Sequence, residues 1–123
     1  MEILSEGSER VPHIVYDGDE LTISGRSYMN NALVFYKGII SSIERMVINK
    51  LIVDVNLEYF NTSSSKCLLE LFRLLERKYN EGADIRIKWE YQTQYLEMNE
   101  AGEDYRDLLR NIPFEIIEPH SEN

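Results

Sequence analysis

Apolar and polar residues change rhythm several times along the chain, and each change marks a predicted element. His13-Ile14-Val15-Tyr16 and Leu21-Thr22-Ile23-Ser24-Gly25 are short β-type runs around the acidic turn Asp17-Gly18-Asp19-Glu20, which reads as a hairpin. Leu21 and Ile23 face one way, Thr22 and Ser24 the other. Asn30 or Asn31 can cap the next element. Leu33, Tyr36, Ile40, Ile43 and Val47 then recur at helical spacing, widened by Phe35, Ile39 and Met46, and predict an amphipathic helix of about 17 residues ending before Lys50.

From Leu51 to Phe60 the period drops to two. Leu51, Val53, Val55, Leu57 and Tyr59 share one face, with Asp54, Asn56 and Glu58 on the other. The polar block Asn61-Thr62-Ser63-Ser64-Ser65 leads into a second helix with Leu68, Leu71, Phe72, Leu75 and Tyr79 on one stripe and Arg73, Glu76 and Arg77 outward. Gly82 stops it. Asp84 to Tyr91 alternates again, Ile85, Ile87, Trp89 and Tyr91 against Arg86, Lys88 and Glu90. A more acidic helix over Glu97 to Arg110 ends before Pro113, and Phe114-Glu115-Ile116-Ile117 forms a last short strand. Residues 1–11 lack periodicity and are expected to be a flexible arm, 12–118 a single domain and 119–123 a polar tail.

Strands joined by crossover helices run parallel. Parallel strands covered on both faces read as unbroken apolar runs. The strands at 51–59 and 85–91 alternate instead. The expected fold is therefore an α/β single domain with a mixed four- to five-stranded sheet, an N-terminal hairpin and helices on one face. The other face would show Asp54, Asn56, Glu58, Arg86, Lys88 and Glu90.

Bulk properties narrow the function. The 123 residues suit one domain, which at this length buries roughly two-thirds of its unfolded surface. Hydrophobic residues at 43% and charged residues at 28% are ordinary for a globular domain, which excludes a disordered or fibrous chain. A net charge of −9 opposes binding to nucleic acid or to an anionic membrane surface, both polyanions that select Lys and Arg. A single cysteine, Cys67, forms no internal disulfide, and with no secretory signal pattern it implies the reducing cytoplasm. No apolar run approaches the ~20 residues of a membrane span.

The segment that can carry chemistry is Tyr59-Phe60-Asn61-Thr62-Ser63-Ser64-Ser65-Lys66. It joins a strand to a helix N-terminus, where about four backbone N–H groups lack partners and the helix dipole contributes roughly half a positive charge. A phosphate placed there would be tolerated, and Lys66 lies four residues past Thr62. Simple capping by Asn, Thr and Ser accounts for the same residues.

Other chemistries find less support. A Thr or Ser nucleophile needs a base, and the two histidines, His13 and His120, lie near the chain ends. Cys67 falls inside the second helix and reads as a core residue. Glu97, Glu100, Glu103, Asp104 and Asp107 form one acidic stripe, expected to be a solvated helix face or a docking surface rather than a metal site. Asp17-Gly18-Asp19 reads as a turn. No glycine-rich nucleotide loop occurs, and no cofactor is expected. Trp89 and Tyr91 read as core. Tyr59 and Phe60 point to opposite faces, so one of them should reach the surface beside Thr62.

The segments Gly25-Arg26-Ser27-Tyr28, Ala32 with Phe35-Tyr36, Tyr59 to Lys66, Ile85-Arg86-Ile87-Lys88-Trp89-Glu90-Tyr91 and Glu100-Ala101-Gly102-Glu103-Asp104-Tyr105 together resemble the SiaC family of bacterial regulatory phosphoproteins, over about residues 10–118. The resemblance implies a fold like the STAS domain of anti-sigma-factor antagonists. It implies a non-catalytic partner switch, phosphorylated by a Ser/Thr kinase and dephosphorylated by a PP2C-type phosphatase, whose unphosphorylated form activates a diguanylate cyclase and so favours biofilm formation. The family's phosphorylated threonine follows Asn in the Asn-Thr-Ser-Ser block and carries over to Thr62. Tyr59, Phe60, Asn61, Ser63, Ser64, Ser65 and Lys66 would then surround the phosphosite at the partner interface. An anti-sigma-antagonist-like switch with another output is the alternative, followed by a small hydrolase. The family often has Pro and Glu after the Ser-Tyr pair, where this chain has Met29 and Asn30; that departure bears on the start of the first helix and on one partner contact.

Overall fold

The computed structural model describes residues 1–118. Among them the chain runs β1 (Glu2–Ser5), β2 (His13–Asp17), β3 (Glu20–Ser27), α1 (Ala32–Glu44), β4 (Lys50–Phe60), α2 (Thr62–Asn80), β5 (Asp84–Glu90), α3 (Glu97–Leu108) and β6 (Phe114–Ile117). The polar tail expected at 119–123 lies outside the described residues.

The six strands form one sheet in sequence order, β1 to β6. β1, β2 and β3 pair antiparallel, and β3 to β6 pair parallel. Each helix therefore carries the chain one strand further in the same direction. Crossovers of one hand, all stepping the same way, put all their helices on one face. This explains the one-sided sheet that the alternation predicts. Leu21, Ile23, Leu51, Val53, Val55, Leu57, Ile85, Ile87 and Trp89 line the helix side and are buried, whereas Asp54, Asn56, Glu58 and Lys88 on the open face are only partly covered.

Three local features depart from the sequence reading. First, the expected arm contains β1, paired with β2 through Glu2↔Tyr16 and Ile3↔Val15, and this raises the strand count to six. The following loop is tied down by Ser5 Oγ donating to the Pro12 carbonyl at 2.7 Å and by Tyr28 N donating to the Arg10 carbonyl at 3.0 Å. Main-chain pairing holds this edge, so its side chains leave little pattern.

Second, α1 is shorter than predicted, with 13 residues, and is rotated. It buries Ala32, Tyr36, Ile39 and Ile43, while Leu33, Val34 and Val47 face solvent. Apolar residues cover so much of this helix that several stripes satisfy the spacing, and packing against α2 and the sheet selects one. Asn31 occupies the N-cap position without a side-chain capping bond.

Third, β4 holds a bulge. Leu57 pairs with Gly25, but the next pair is Tyr59↔Arg26, so Glu58 is an extra residue. The alternation flips there. Tyr59, expected beside Leu57 on the apolar face, turns to the open face and is 49% exposed. Phe60 turns inward, edge-on to Trp89 with ring centroids 6.2 Å apart.

The remaining helix ends follow local chemistry. Gly82, at φ 116°, closes α2, its N–H bonding the Tyr79 carbonyl at 3.0 Å and the Ala83 N–H that of Lys78 at 3.1 Å. One oxygen of Glu76 accepts from the backbone N–H groups of Arg110, Asn111 and Ile112 at 2.9, 2.7 and 3.1 Å, fixing the turn before β6. Burial alone would raise the Glu76 carboxyl, but these three donors, with Arg73, hold it below its ordinary value.

α3 docks through Trp89. The indole Nε1 donates to the Met98 carbonyl at 2.7 Å, and the ring packs against Phe72, Tyr105 and Phe114. Gly102 lies against this ring: a Cβ there would sit 2.5 Å from the indole Cδ1. Alanine in a helix interior normally outranks glycine by about 1 kcal/mol. Here the sign reverses, because the wholly buried Trp89 has little room to move. Gly102→Ala is expected to destabilise the fold by about 1–3 kcal/mol, read as a lower urea midpoint. A midpoint at or above wild type would show that the indole gives way.

Candidate functional site

Asn61 ends β4 and caps α2. Its side-chain Oδ1 accepts from Ser64 N at 2.9 Å, and its backbone N–H donates to the Ser27 carbonyl at 3.0 Å, the last rung between β3 and β4. Thr62 is consequently the first residue of α2, Ser63 the second and Ser64 the third.

Helical geometry then sorts the hydroxyls. Ser64 points into the core and is 0% exposed. A buried hydroxyl needs a partner, and Ser64 has one in Ser27, whose Oγ lies 2.8 Å away and also 2.7 Å from the Tyr36 hydroxyl. Ser27, Ser64 and Tyr36 thus join β3, α2 and α1 in one buried node. Ser65 turns towards α3, where the Tyr105 hydroxyl meets its Oγ at 3.1 Å and donates to its carbonyl at 2.8 Å. Burial, more than any neighbouring group, pushes the Tyr36 and Tyr105 hydroxyls up to about 12, so both stay protonated donors.

Thr62 and Ser63 are left exposed on the outer side of the first turn. Lys66, one turn beyond Thr62, is on the same side. A cleft of about 320 Å³ opens beside them between the starts of α1 and α2, lined by Asn30, Asn31, Ala32, Leu33, Ser63, Lys66, Cys67 and Glu70. Met29 and Asn30, the two positions that depart from the family pattern, lie here: the Met29 carbonyl accepts from Asn61 Nδ2 at 3.4 Å, and Asn30 lines the cleft. Cys67 is buried, and burial followed by the charge of Glu70 pushes its thiol above its ordinary value, which disfavours the reactive thiolate.

Of the eight residues singled out from Tyr59 to Lys66, the fold gathers Thr62, Ser63 and Lys66 on one exposed turn. Tyr59 reaches the surface on the open-face side, stacked edge-on against Tyr28 at 5.6 Å, with the Arg10 guanidinium 5.6 Å from the Tyr28 ring. Phe60 and Ser64, counted above among the partner-facing residues, are corrected: both side chains point inward, Phe60 because of the bulge and Ser64 because it is on the inner side of the helix. Sequence reading missed Ser27, Tyr36 and Tyr105. Ser27 had a signal, since it continues the inward positions Leu21, Ile23 and Gly25 with a polar residue. The acidic stripe on α3 gathers no group of three metal-binding side chains among the described residues.

The family model described as SiaC family regulatory phosphoprotein matches residues 5–119. An uncharacterized protein of Pseudomonas aeruginosa (strain UCBPP-PA14) is 29% identical over 121 residues, covering 94% of each chain. Among solved structures, the chain resembles apo-SiaC of P. aeruginosa with a TM-score of 0.84 at 29% identity, over 94% of this chain and 98% of that one. It resembles equally, with a TM-score of 0.84 at 28% identity and the same coverage, the crystal structure of the diguanylate cyclase SiaD in complex with its activator SiaC from that organism.

The node and the exposed turn should respond differently to mutation. Ser27→Ala takes a buried hydrogen bond from both Tyr36 and Ser64, leaving Ser64 only the weak Met29 sulfur at 3.9 Å, and is expected to cost about 2–3 kcal/mol, and Asn61→Ala about 1 kcal/mol through the lost cap. Ser63→Ala should stay within about 0.5 kcal/mol of wild type. Chemical denaturation measures all three; equal effects at Ser27 and Ser63 would contradict the sorting of hydroxyls described above.

Proposed function

The chain belongs to the SiaC family of regulatory phosphoproteins, and on that premise we propose that it is a partner switch controlled by phosphate on Thr62. The observation that carries this reading is the exposure of Thr62 at the first position of α2, its hydroxyl without a hydrogen bond to any described residue, while Ser64 and Ser65 are held by the fold. Ser63 shares the exposure. The resemblance to the family pattern, in which the threonine after Asn is modified, favours Thr62 over Ser63.

A Ser/Thr kinase adds the phosphate and a PP2C-type phosphatase removes it. The unmodified form binds and activates a diguanylate cyclase, as SiaC is the activator of SiaD in the P. aeruginosa complex. The role is non-catalytic: the protein acts by docking, in the cytoplasm. Among the described residues no helix is long and apolar enough to cross a membrane.

The mechanism is electrostatic. Unmodified, Thr62, Ser63, Lys66 and nearby Tyr59 present a small polar and aromatic surface to the cyclase. Phosphate brings about −1.5 to −2 charges and three acceptor oxygens. The fold accommodates them, because the α2 N-terminus and Lys66 are both positive. A complex that buries Thr62 does not, since it would enclose an uncompensated dianion. A penalty near 3 kcal/mol lowers affinity about a hundredfold.

Peptide mapping of protein from its native host is expected to place phosphate on Thr62; phosphate found only at other residues would refute the assignment. In a reconstituted assay, wild type and Thr62→Ala should bind and stimulate the purified cyclase, with affinity for Thr62→Glu reduced by about ten- to a hundredfold, less than phosphate itself because a carboxylate carries less charge. Equal stimulation by all three would remove the switch.

A further inference from the structure

The open face of the sheet carries a pair of carboxyl groups that the switch at Thr62 does not use. β4 and β5 run parallel with Asp54 opposite Lys88 and Asn56 opposite Glu90, so all four side chains emerge on the face away from the helices. Glu90 is diagonal to Asp54 on the neighbouring strand, a cross-strand spacing that long side chains can bridge. Two ionised carboxylates have no hydrogen to share. Asp54 Oδ1 and Asn56 Oδ1 are shielded from solvent and have no hydrogen-bond partner among the described residues. A shielded acceptor without a donor is destabilising, and this site contains two of them beside one acidic group.

We propose that Glu90 carries a proton in the folded chain and donates it across the strands to Asp54, making the open face a binding site for one hydrogen ion. The proton supplies the donor that Asp54 lacks and removes the repulsion between like charges. We place the proton on Glu90 because Lys88, the cation of this face nearest the pair, sits directly opposite Asp54 across the strands. The other charged or titratable groups facing the pair from neighbouring strands are Glu58 and Arg26, which neutralise one another at 3.1 Å, Glu20 on β3, Arg86 on β5, Glu115 on β6 and, two strands away, His13 on β2. The three helices pack on the opposite face. Its hydrogen bond with Asp54 first, then burial and the Asp54 charge, push the Glu90 carboxyl up to about 7 from an ordinary 4.5, against the opposing pull of Lys88.

The sign of the pH dependence follows. A carboxyl whose folded-state value lies above its unfolded value stabilises the fold most below the unfolded value, here 4.5, and that contribution is lost as pH rises through about 7. Above neutrality the open face gains one negative charge with no change of fold, at the C-terminal end of β5.

The test is the carboxyl carbon titration of Glu90 by NMR in the full chain, alongside thermal unfolding at pH 5 to 8.5. The wild-type Glu90 resonance is expected to inflect near 7, and the wild-type melting temperature to fall across neutrality. Glu90→Gln, whose amide donates at every pH, should flatten that fall, and Asp54→Asn should move the Glu90 inflection back towards 4.5. A wild-type inflection in the ordinary carboxylate range overturns the proposal, as does a Glu90→Gln melting profile that tracks wild type. Were Glu90→Gln unable to fold, the titrations of wild type and Asp54→Asn would decide.

Discussion

A hydroxyl in an apolar core has to be paired, and the pairing of Ser64 with Ser27 organises the working end of this protein. Ser27 ends β3, Ser64 lies in the first turn of α2, and the Tyr36 hydroxyl reaches the same point from α1. Three elements therefore meet at one hydrogen-bonded node with no exposure to water. Once Ser64 faces inward, the helical repeat places Thr62 and Ser63 outward and Ser65 towards Tyr105. The accessible hydroxyls are thus set by a contact that a partner never touches. The network is most sensitive at Ser27, its central member, whose loss takes a desolvated hydrogen bond from both of the others.

The second constraint is topological. Strands β3 to β6 follow one another across the sheet, and their crossovers all advance in the same direction. One hand of crossover then leaves one sheet face uncovered. The open face is polar along β4 and β5, and the bulge at Glu58 adds Tyr59 to it at the end nearest the α2 cap. A single extra residue in a strand redirects two aromatic rings: Tyr59 leaves the core for Tyr28, and Phe60 takes its place against Trp89 and Tyr105.

These features describe a scaffold suited to signalling by charge rather than by shape. The turn that would receive phosphate is anchored on both sides, to β3 and α1 through Ser64 and to α3 through Ser65. A dianion added to its outer surface meets unpaired backbone N–H groups and Lys66, not the core. The proposed phosphorylation would therefore change what docks while the fold stays as it is. The Asp54–Glu90 pair belongs to the same class of device, a change of charge on a rigid surface.

Much of this was written in local pattern. Alternation in Leu51–Leu57 and Ile85–Trp89 specified both strands and the uncovered sheet face, because side-chain period is a property of the backbone itself. Asn61 as cap, Gly82 as terminator and the spacing of Leu68, Leu71, Phe72 and Leu75 specified α2 in the same way. Five segments spread from Gly25 to Tyr105, the block around Thr62 among them, together carried the family resemblance. Other features were decided only in three dimensions. β1 rests on main-chain bonds to β2, which no side-chain rhythm records. The buried stripe of α1 was chosen among several equivalent ones by its neighbours, since Ala32 rather than Leu33 fits against them. The bulge that exchanges Tyr59 for Phe60 depends on the register with β3, a relation between distant segments. Whether a serine in the run 63–65 is a surface hydroxyl or part of the core depends on the partners that Ser27, Tyr36 and Tyr105 bring from elsewhere in the chain, because hydrogen-bond satisfaction in a core is a property of the assembled structure.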